Sequence, residues 1–222
     1  MVKLVCIAIY RQDGNIREEI KDTKNIVKET AEDKEVRALM ICQVNDMSSF
    51  SYFTRSKARE FIFFGCRQTC ERTPLAERLS VGSGYKDYIA HSMVRYDGLA
   101  GVVVTDEEYP KDMAYQLLYL VIRDVDTKLQ GKWRKVSKES KVSPPFMETY
   151  LKEYQDPQKM DKKGQIQEKI GALRYQLKGN LHELLRRGED LDDIVGNTED
   201  LSETAKAFYA QSKKHNQCCK SF

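Results

Sequence analysis

From Ile166 to Phe208 a single series of side chains recurs at alternating steps of four and three: Ile166, Ile170, Leu173, Leu177, Asn180, Leu184, Arg187, Leu191, Ile194, Thr198, Leu201, Ala205 and Phe208. A mean step of 3.5 residues describes an under-wound helix that keeps one narrow seam turned toward partner helices, whereas an ordinary core helix drifts in phase and shows a wider stripe. Sustained over this length, the pattern predicts a long coiled-coil helix completed by other helices. Arg187 stands where an aliphatic side chain belongs. A guanidinium buried without partners is prohibitive, so an assembly that closes over Arg187 must bring polar acceptors to its layer, and the arginine then sets register. The spacing equally allows a seam open to water there, or a snorkelling side chain. Gly164, Gly171, Gly179, Gly188 and Gly196 lie in the same stretch. Each costs about 1 kcal/mol of helix stability relative to alanine, so the isolated segment is largely unstructured and folds by binding.

The rest of the chain reads differently. A hydrophobic fraction of 41% against 32% charged residues supports a core in one part and not throughout. Residues 1–10 and 37–44 read as strands, with Asp13-Gly14 as a turn signal. Between them residues 15–36 are charged, with Ile16, Ile20, Ile26 and Val27 at partly helical spacing, and form an insertion in a hairpin loop. Residues 56–72 place Ala58, Phe61, Ile62 and Phe64 on one side of a helix closed by Pro74. Strand-like runs 85–95 and 99–105 flank Asp97-Gly98, a strong hairpin signal. Pro110 opens a helix over 111–130 with Met113, Leu117, Leu120 and Val121 in one stripe. A basic loop over 131–142 and a short helix over 145–154 follow, and Gln155-Asp156-Pro157 marks a boundary. The expectation is an α+β domain over residues 1–155 with the 15–36 insertion, a coiled-coil segment over 158–217 and a tail over 218–222.

No apolar run reaches the roughly 18 to 20 residues a membrane-spanning helix needs. The start of the chain suits a buried strand better than a signal peptide, and a net charge of +3 carries no global argument for nucleic acid. An enzyme would have to begin from Cys66, Cys70 and His91, which supply neither the four convergent ligands of a zinc site nor a thiol with an assured base. Gly82-Ser83-Gly84 lacks the length and ending of a phosphate-binding loop. No catalytic group, metal or cofactor is expected.

The stretch Leu184-Leu185-Arg186-Arg187-Gly188-Glu189-Asp190-Leu191-Asp192-Asp193 resembles the central layer of the R-SNARE (synaptobrevin-type) motif, and Ala205-Lys206-Ala207-Phe208-Tyr209 is similar to its membrane-proximal layers. Ser48-Ser49-Phe50-Ser51-Tyr52-Phe53, together with Gly98-Leu99-Ala100-Gly101-Val102-Val103-Val104 and Glu108-Tyr109-Pro110, resembles the longin domain of the prenylated longin R-SNAREs, which lack a transmembrane anchor. Only residues 15–36 fall outside this likeness. The resemblance implies a longin (profilin-like) fold, an antiparallel sheet flanked by helices, followed by a long SNARE helix. It implies a four-helix bundle with three Q-SNARE helices in which Arg187 faces three glutamines. It implies vesicle fusion at the cytoplasmic face of Golgi, endosomal or vesicle membranes. It also implies a longin domain that folds back on the SNARE segment and its lipid, with Phe50 and Phe53 at the contact. As residues alone, Phe50 and Phe53 read equally well as core aromatics beside Tyr52. A longin-fold trafficking adaptor without a fusogenic role is the second reading.

The chain ends Cys218-Cys219-Lys220-Ser221-Phe222, which puts Cys219 at the prenylation position of a C-a-a-X tail. A terminal Phe favours geranylgeranyl over farnesyl, while the non-aliphatic Lys220 and Ser221 leave the prenyl type open, and two free cysteines on a frayed tail are the plain alternative. One lipid chain anchors only marginally, so a second signal is required. The resemblance assigns Cys218 a palmitoyl or second prenyl group, and Lys206, Lys213 and Lys214 favour an anionic surface.

Overall fold

The computed structural model describes residues 4–13, 37–82, 88–156, 174–178, 185 and 189–218. The insertion 15–36, the seam positions Ile166, Ile170, Leu173, Asn180, Leu184 and Arg187, and the tail cysteine Cys219 lie outside the described residues.

Six strands form one sheet in the order β2-β1-β5-β4-β3-β6: β1 Leu4–Asp13, β2 Arg37–Asn45, β3 Glu77–Gly82, β4 Tyr88–Val94, β5 Leu99–Asp106 and β6 Arg174–Lys178. Helices α1 (Arg55–Glu71), α2 (Lys111–Leu129), α3 (Pro145–Glu153), α4 (Leu191–Asn197) and α5 (Glu203–Cys218) cover it. β1 lies between β2 and β5, with Ile7 opposite both Val44 and Val103. Its side chains alternate between two cores, as a period of two requires. Cys6, Ala8 and Tyr10 join Phe61, Ile62 and Phe64 of α1, while Ile7 and Ile9 join Leu117, Leu118, Val121 and Ile122 of α2. Because helices lie on both faces, β1 and β5 read as nearly unbroken apolar runs.

The β4–β5 turn is set by Gly98 at φ 83, with Gly98 N donating to Arg95 O at 3.1 Å. Gly101 in β5 lets α2 approach closely: a Cβ there would meet Leu118 Cδ2 at 2.9 Å. The first and last parts of the longin-like unit are tied by Gln155, whose amide accepts from Leu4 N (3.2 Å) and donates to Leu4 O (2.7 Å).

Three elements depart from the sequence reading. β3 falls in a stretch with no strand expectation. The basic loop 131–142 contains a 3-10 turn, Lys132–Lys135, whose Trp133 is fully buried and donates its indole N–H to Asp126 Oδ1 at 2.7 Å. The sheet is mixed and not wholly antiparallel, since β6 pairs parallel with β3, Glu77 opposite Arg174 and Ser80 opposite Leu177. The last departure is also the largest. In the described parts of the segment expected as one long helix, the chain alone forms a strand and two helices laid on the first unit. β6 therefore extends the sheet, and Leu191, Val195, Leu201, Ala205 and Phe208 join one of its cores. Without partner helices, the described apolar positions of the seam bury themselves there, and β6 takes main-chain hydrogen bonds from the edge of β3 in place of a helix that glycine weakens.

Candidate functional site

The site is the face where the C-terminal segment meets α1. Asp190 caps α4 by accepting from Asp192 N at 2.7 Å. The chain leaves helical geometry at Thr198, extended at φ −71 and ψ 139, and re-enters it at Ser202, whose carbonyl accepts from Ala205 N (2.9 Å) and Lys206 N (3.0 Å). This break folds α5 back along α4. Lys206 Nζ reaches Gly196 O at 2.8 Å, and Tyr209 hydroxyl and Lys213 both bond Asp192.

Leu191, Val195, Leu201, Ala205 and Phe208 are buried in the same core as Phe50, Phe61, Phe64 and Tyr88. Ile194 and Tyr209 pack half-buried against it, and the Tyr209 ring stacks on Phe61 at 5.3 Å between centroids. Each fully buried Leu, Val or Phe contributes on the order of 2 kcal/mol of transfer free energy. The apolar contact therefore carries most of the attachment.

A polar rim fixes register around it. Glu60 accepts from Ser202 N at 3.1 Å and from Ser202 hydroxyl at 2.7 Å. Arg67 bridges Asp200, at 2.7 Å, and Glu139. Arg72 pairs with Glu189 at 3.1 Å. Burial acts to lower the Arg67 pKa, but Asp200 and Glu139 outweigh it and hold the guanidinium above its ordinary value. Beside them, burial pushes the Glu71 carboxyl up to about 7, against the opposing pull of Ala38 N–H, Arg67 and Arg72. At the far sheet edge the Arg174 guanidinium lies 3.4 Å from Glu77, and Tyr175 packs edge-on to Tyr115, 6.0 Å between centroids, with Lys111 Nζ 4.6 Å from its ring.

An apolar cavity opens between α1 and the β3–β4 pair, lined by Phe61, Ile62, Cys66, Val81, Tyr88 and others. The residues from which an enzyme reading would start are poorly placed for chemistry. Cys66 shares a hydrogen bond with Cys6, Sγ to Sγ 3.7 Å, and that bond together with burial pushes its thiol well up; burial does the same to Cys70. His91 is held down to about 4 by burial and bonds Ser80 and Thr105 inside the α2-side core.

Of the described seam positions, Leu191, Leu201, Ala205 and Phe208 are buried on this face, Ile194 and Thr198 are half-buried, and Leu177 lies in β6. Cys218 is the last residue of α5. The aromatic pair separates. Phe50 is buried, 6.0 Å from Tyr88, in the core the segment completes. Phe53 is 85% exposed, on the turn preceding α1. Sequence reasoning missed the residues that hold the segment, Glu60, Phe61, Arg67 and Arg72. The period of α1 marked Phe61 as core, but nothing in the sequence pairs its charged flank with residues more than a hundred positions away.

Comparison with known proteins follows the same division. The family model described as "Synaptobrevin" matches residues 162–221, and the longin model, "Regulated-SNARE-like domain", matches residues 47–158. The chain is 36% identical over 184 residues to "Synaptobrevin homolog YKT6" of Yarrowia lipolytica, covering 82% of this chain and 91% of that protein. It is 36% identical over 181 residues to the Schizosaccharomyces pombe protein of the same description, covering 81% and 90%. To that of Eremothecium gossypii it is 32% identical over 220 residues, covering 98% of each. Among the described residues no helix is long and apolar enough to cross a membrane.

Proposed function

Starting from the fact that this chain belongs to the longin-domain synaptobrevin family, R-SNAREs of vesicle trafficking that act in SNARE complexes, we propose that it drives fusion by pairing its seam with three Q-SNARE helices and that its longin domain holds the seam in reserve until then. Residues 1–155, with the insertion 15–36, form the regulatory unit, residues 158–217 the pairing segment and residues 218–222 the anchor. One observation carries the reading. Leu191, Leu201, Ala205 and Phe208, which the heptads assign to the bundle seam, are the side chains buried against α1. A side chain cannot occupy both sites, so the folded-back form and the bundle exclude one another.

In the bundle Arg187 faces three glutamines, one from each partner helix, because three neutral acceptors satisfy a guanidinium without adding a second buried charge. The tail carries a prenyl group on Cys219 and a palmitoyl or second prenyl group on Cys218, and acts at the cytoplasmic face of Golgi, endosomal or vesicle membranes. When the segment is folded back, the longin domain also covers the lipid. The test is a gain of helix, read by circular dichroism, when the full chain is mixed with three Q-SNARE helices, in wild-type and Arg187→Gln forms. A cooperative gain weakened by the substitution supports the pairing; no gain with any Q-SNARE set returns the chain to the adaptor reading. Loss of prenyl incorporation in Cys219→Ser tests the anchor.

A further inference from the structure

Tyr52 and Phe53 are 81% and 85% exposed and meet edge-on, 5.7 Å between centroids. The other large exposed apolar residues among those described, Tyr96 and Val142, stand singly. The pair crowns a turn that is already rigid. Ser51 O accepts from Thr54 N at 3.0 Å and Arg55 N at 3.1 Å, Arg55 Nε donates to Phe50 O at 3.0 Å, and Phe50 anchors the turn from below. Residues 47–59 contain Arg55, Lys57 and Arg59, with the acidic Asp46 and Glu60 at the two borders of the stretch. Lys57 and Arg59 make no ion pair among the described residues.

We infer that this tip is a second membrane contact, borne by the longin domain, at which Tyr52 and Phe53 enter the interface of an anionic bilayer while Arg55, Lys57 and Arg59 meet its lipid phosphates and carboxylates. Two adjacent aromatics displayed on a fixed turn carry a hydrophobic cost in water that only a ligand removes. Their surroundings select the ligand. The rings touch each other, and the tip between Met47 and Arg59, rich in cations and in the hydroxyls of Ser48, Ser51 and Ser56, complements a negative, hydrated surface. Because the turn is preformed, insertion orders little chain. Phe53 is exposed beside the described part of the folded-back segment, so the contact is open to the chain in that state too.

The experiment is flotation of the full-length chain, with Cys218 and Cys219 unmodified, on phosphatidylcholine vesicles with and without phosphatidylserine. Wild type floats with the anionic vesicles. Tyr52→Ser/Phe53→Ser lowers that partition about tenfold, and Lys57→Ser/Arg59→Ser lowers it by about tenfold or more. Tyr52, Phe53 and Arg59 are exposed and Lys57 half-buried, and unchanged thermal melting confirms that the variants fold. A Phe53→Trp chain shows emission moving to shorter wavelength on the anionic vesicles alone, against a constant background from buried Trp133. The inference is overturned if wild type stays unbound, if the aromatic variant floats as well as wild type, or if the Phe53→Trp emission is unmoved. It is equally overturned if the aromatic variant binds vesicles normally and loses assembly with Q-SNARE helices, which would make the tip a protein-docking surface. The flotation contains no partner helix, so its failure leaves the pairing of the seam untouched.

Discussion

Replacing Glu60 with alanine separates the two states of the C-terminal segment more cleanly than any seam substitution, because Glu60 lies on α1 and takes no part in the heptads. Its carboxylate accepts two hydrogen bonds from Ser202, at 3.1 and 2.7 Å. At a half-exposed site each is worth about 1 kcal/mol, since water replaces the partner when the bond is lost. Losing both costs the folded-back form about 2 kcal/mol, or about thirtyfold in the ratio of folded-back to released segment. Hydrogen exchange of the α5 amides, from Ala205 onward, should then show protection falling by about that factor. Amides of β1 and β5 keep theirs, because their ladder hydrogen bonds do not depend on the Glu60–Ser202 pair. Assembly with Q-SNARE helices, limited by the released fraction, should accelerate in parallel. Unchanged α5 protection in Glu60→Ala would refute the reasoning, and so would an equal loss in β1.

Leu201→Ala, by contrast, removes a side chain buried on the α1 face and assigned to the seam; it should loosen α5 in hydrogen exchange and also lower the melting temperature of the assembled bundle, and a bundle left unchanged would remove Leu201 from the seam. Gly101→Ala places a methyl 2.9 Å from Leu118 Cδ2 and should cost about 1 to 3 kcal/mol, seen as a lower melting temperature; a neutral result would mean that α2 moves away freely. His91, held down to about 4, has its proton taken up by the unfolded chain first as pH falls below about 6.5. Stability is therefore lost progressively between about pH 6.5 and 4, by about 3 kcal/mol from this residue, and urea melts of wild type against His91→Gln should show the dependence flattened in the variant.

The elements that periodicity alone determines were legible in the sequence. α1 and α2 carry their stripes, β1 and β5 their apolar runs, and Asp97-Gly98 its turn. The heptads gave the buried side of α4 and α5, because the longin core selects the apolar face as a partner helix would. What periodicity left open was set by tertiary partners. β3 is short, with Glu77 and Arg78 at its start, and is a strand because β4 and β6 lie on either side. β6 carries the heptad position Leu177 and is extended because the edge of β3 needs hydrogen-bond partners. Trp133 sits among Lys132, Arg134 and Lys135, and its burial comes from the α2-side core, with Asp126 across the turn satisfying its indole N–H. In the aromatic triplet Phe50, Tyr52 and Phe53, composition could not say which ring faces inward; the turn holding Ser51 and Thr54 decides it.

The parallel pairing of β6 with β3 has a consequence for the chain once its segment departs. On the proposed exchange of the segment into a bundle, the sheet would lose its last strand, and the main-chain N–H and C=O groups of Glu77–Gly82 on that side would face water. Bare strand edges recruit one another, so every fusion-ready molecule carries a small liability to self-association that the resting molecule lacks. Six residues is short for such an edge, and Glu77 and Arg78 place charge at its entrance. Solubility in the released state thus rests on the brevity and charge of one strand, and lengthening or neutralising it would convert activation into aggregation.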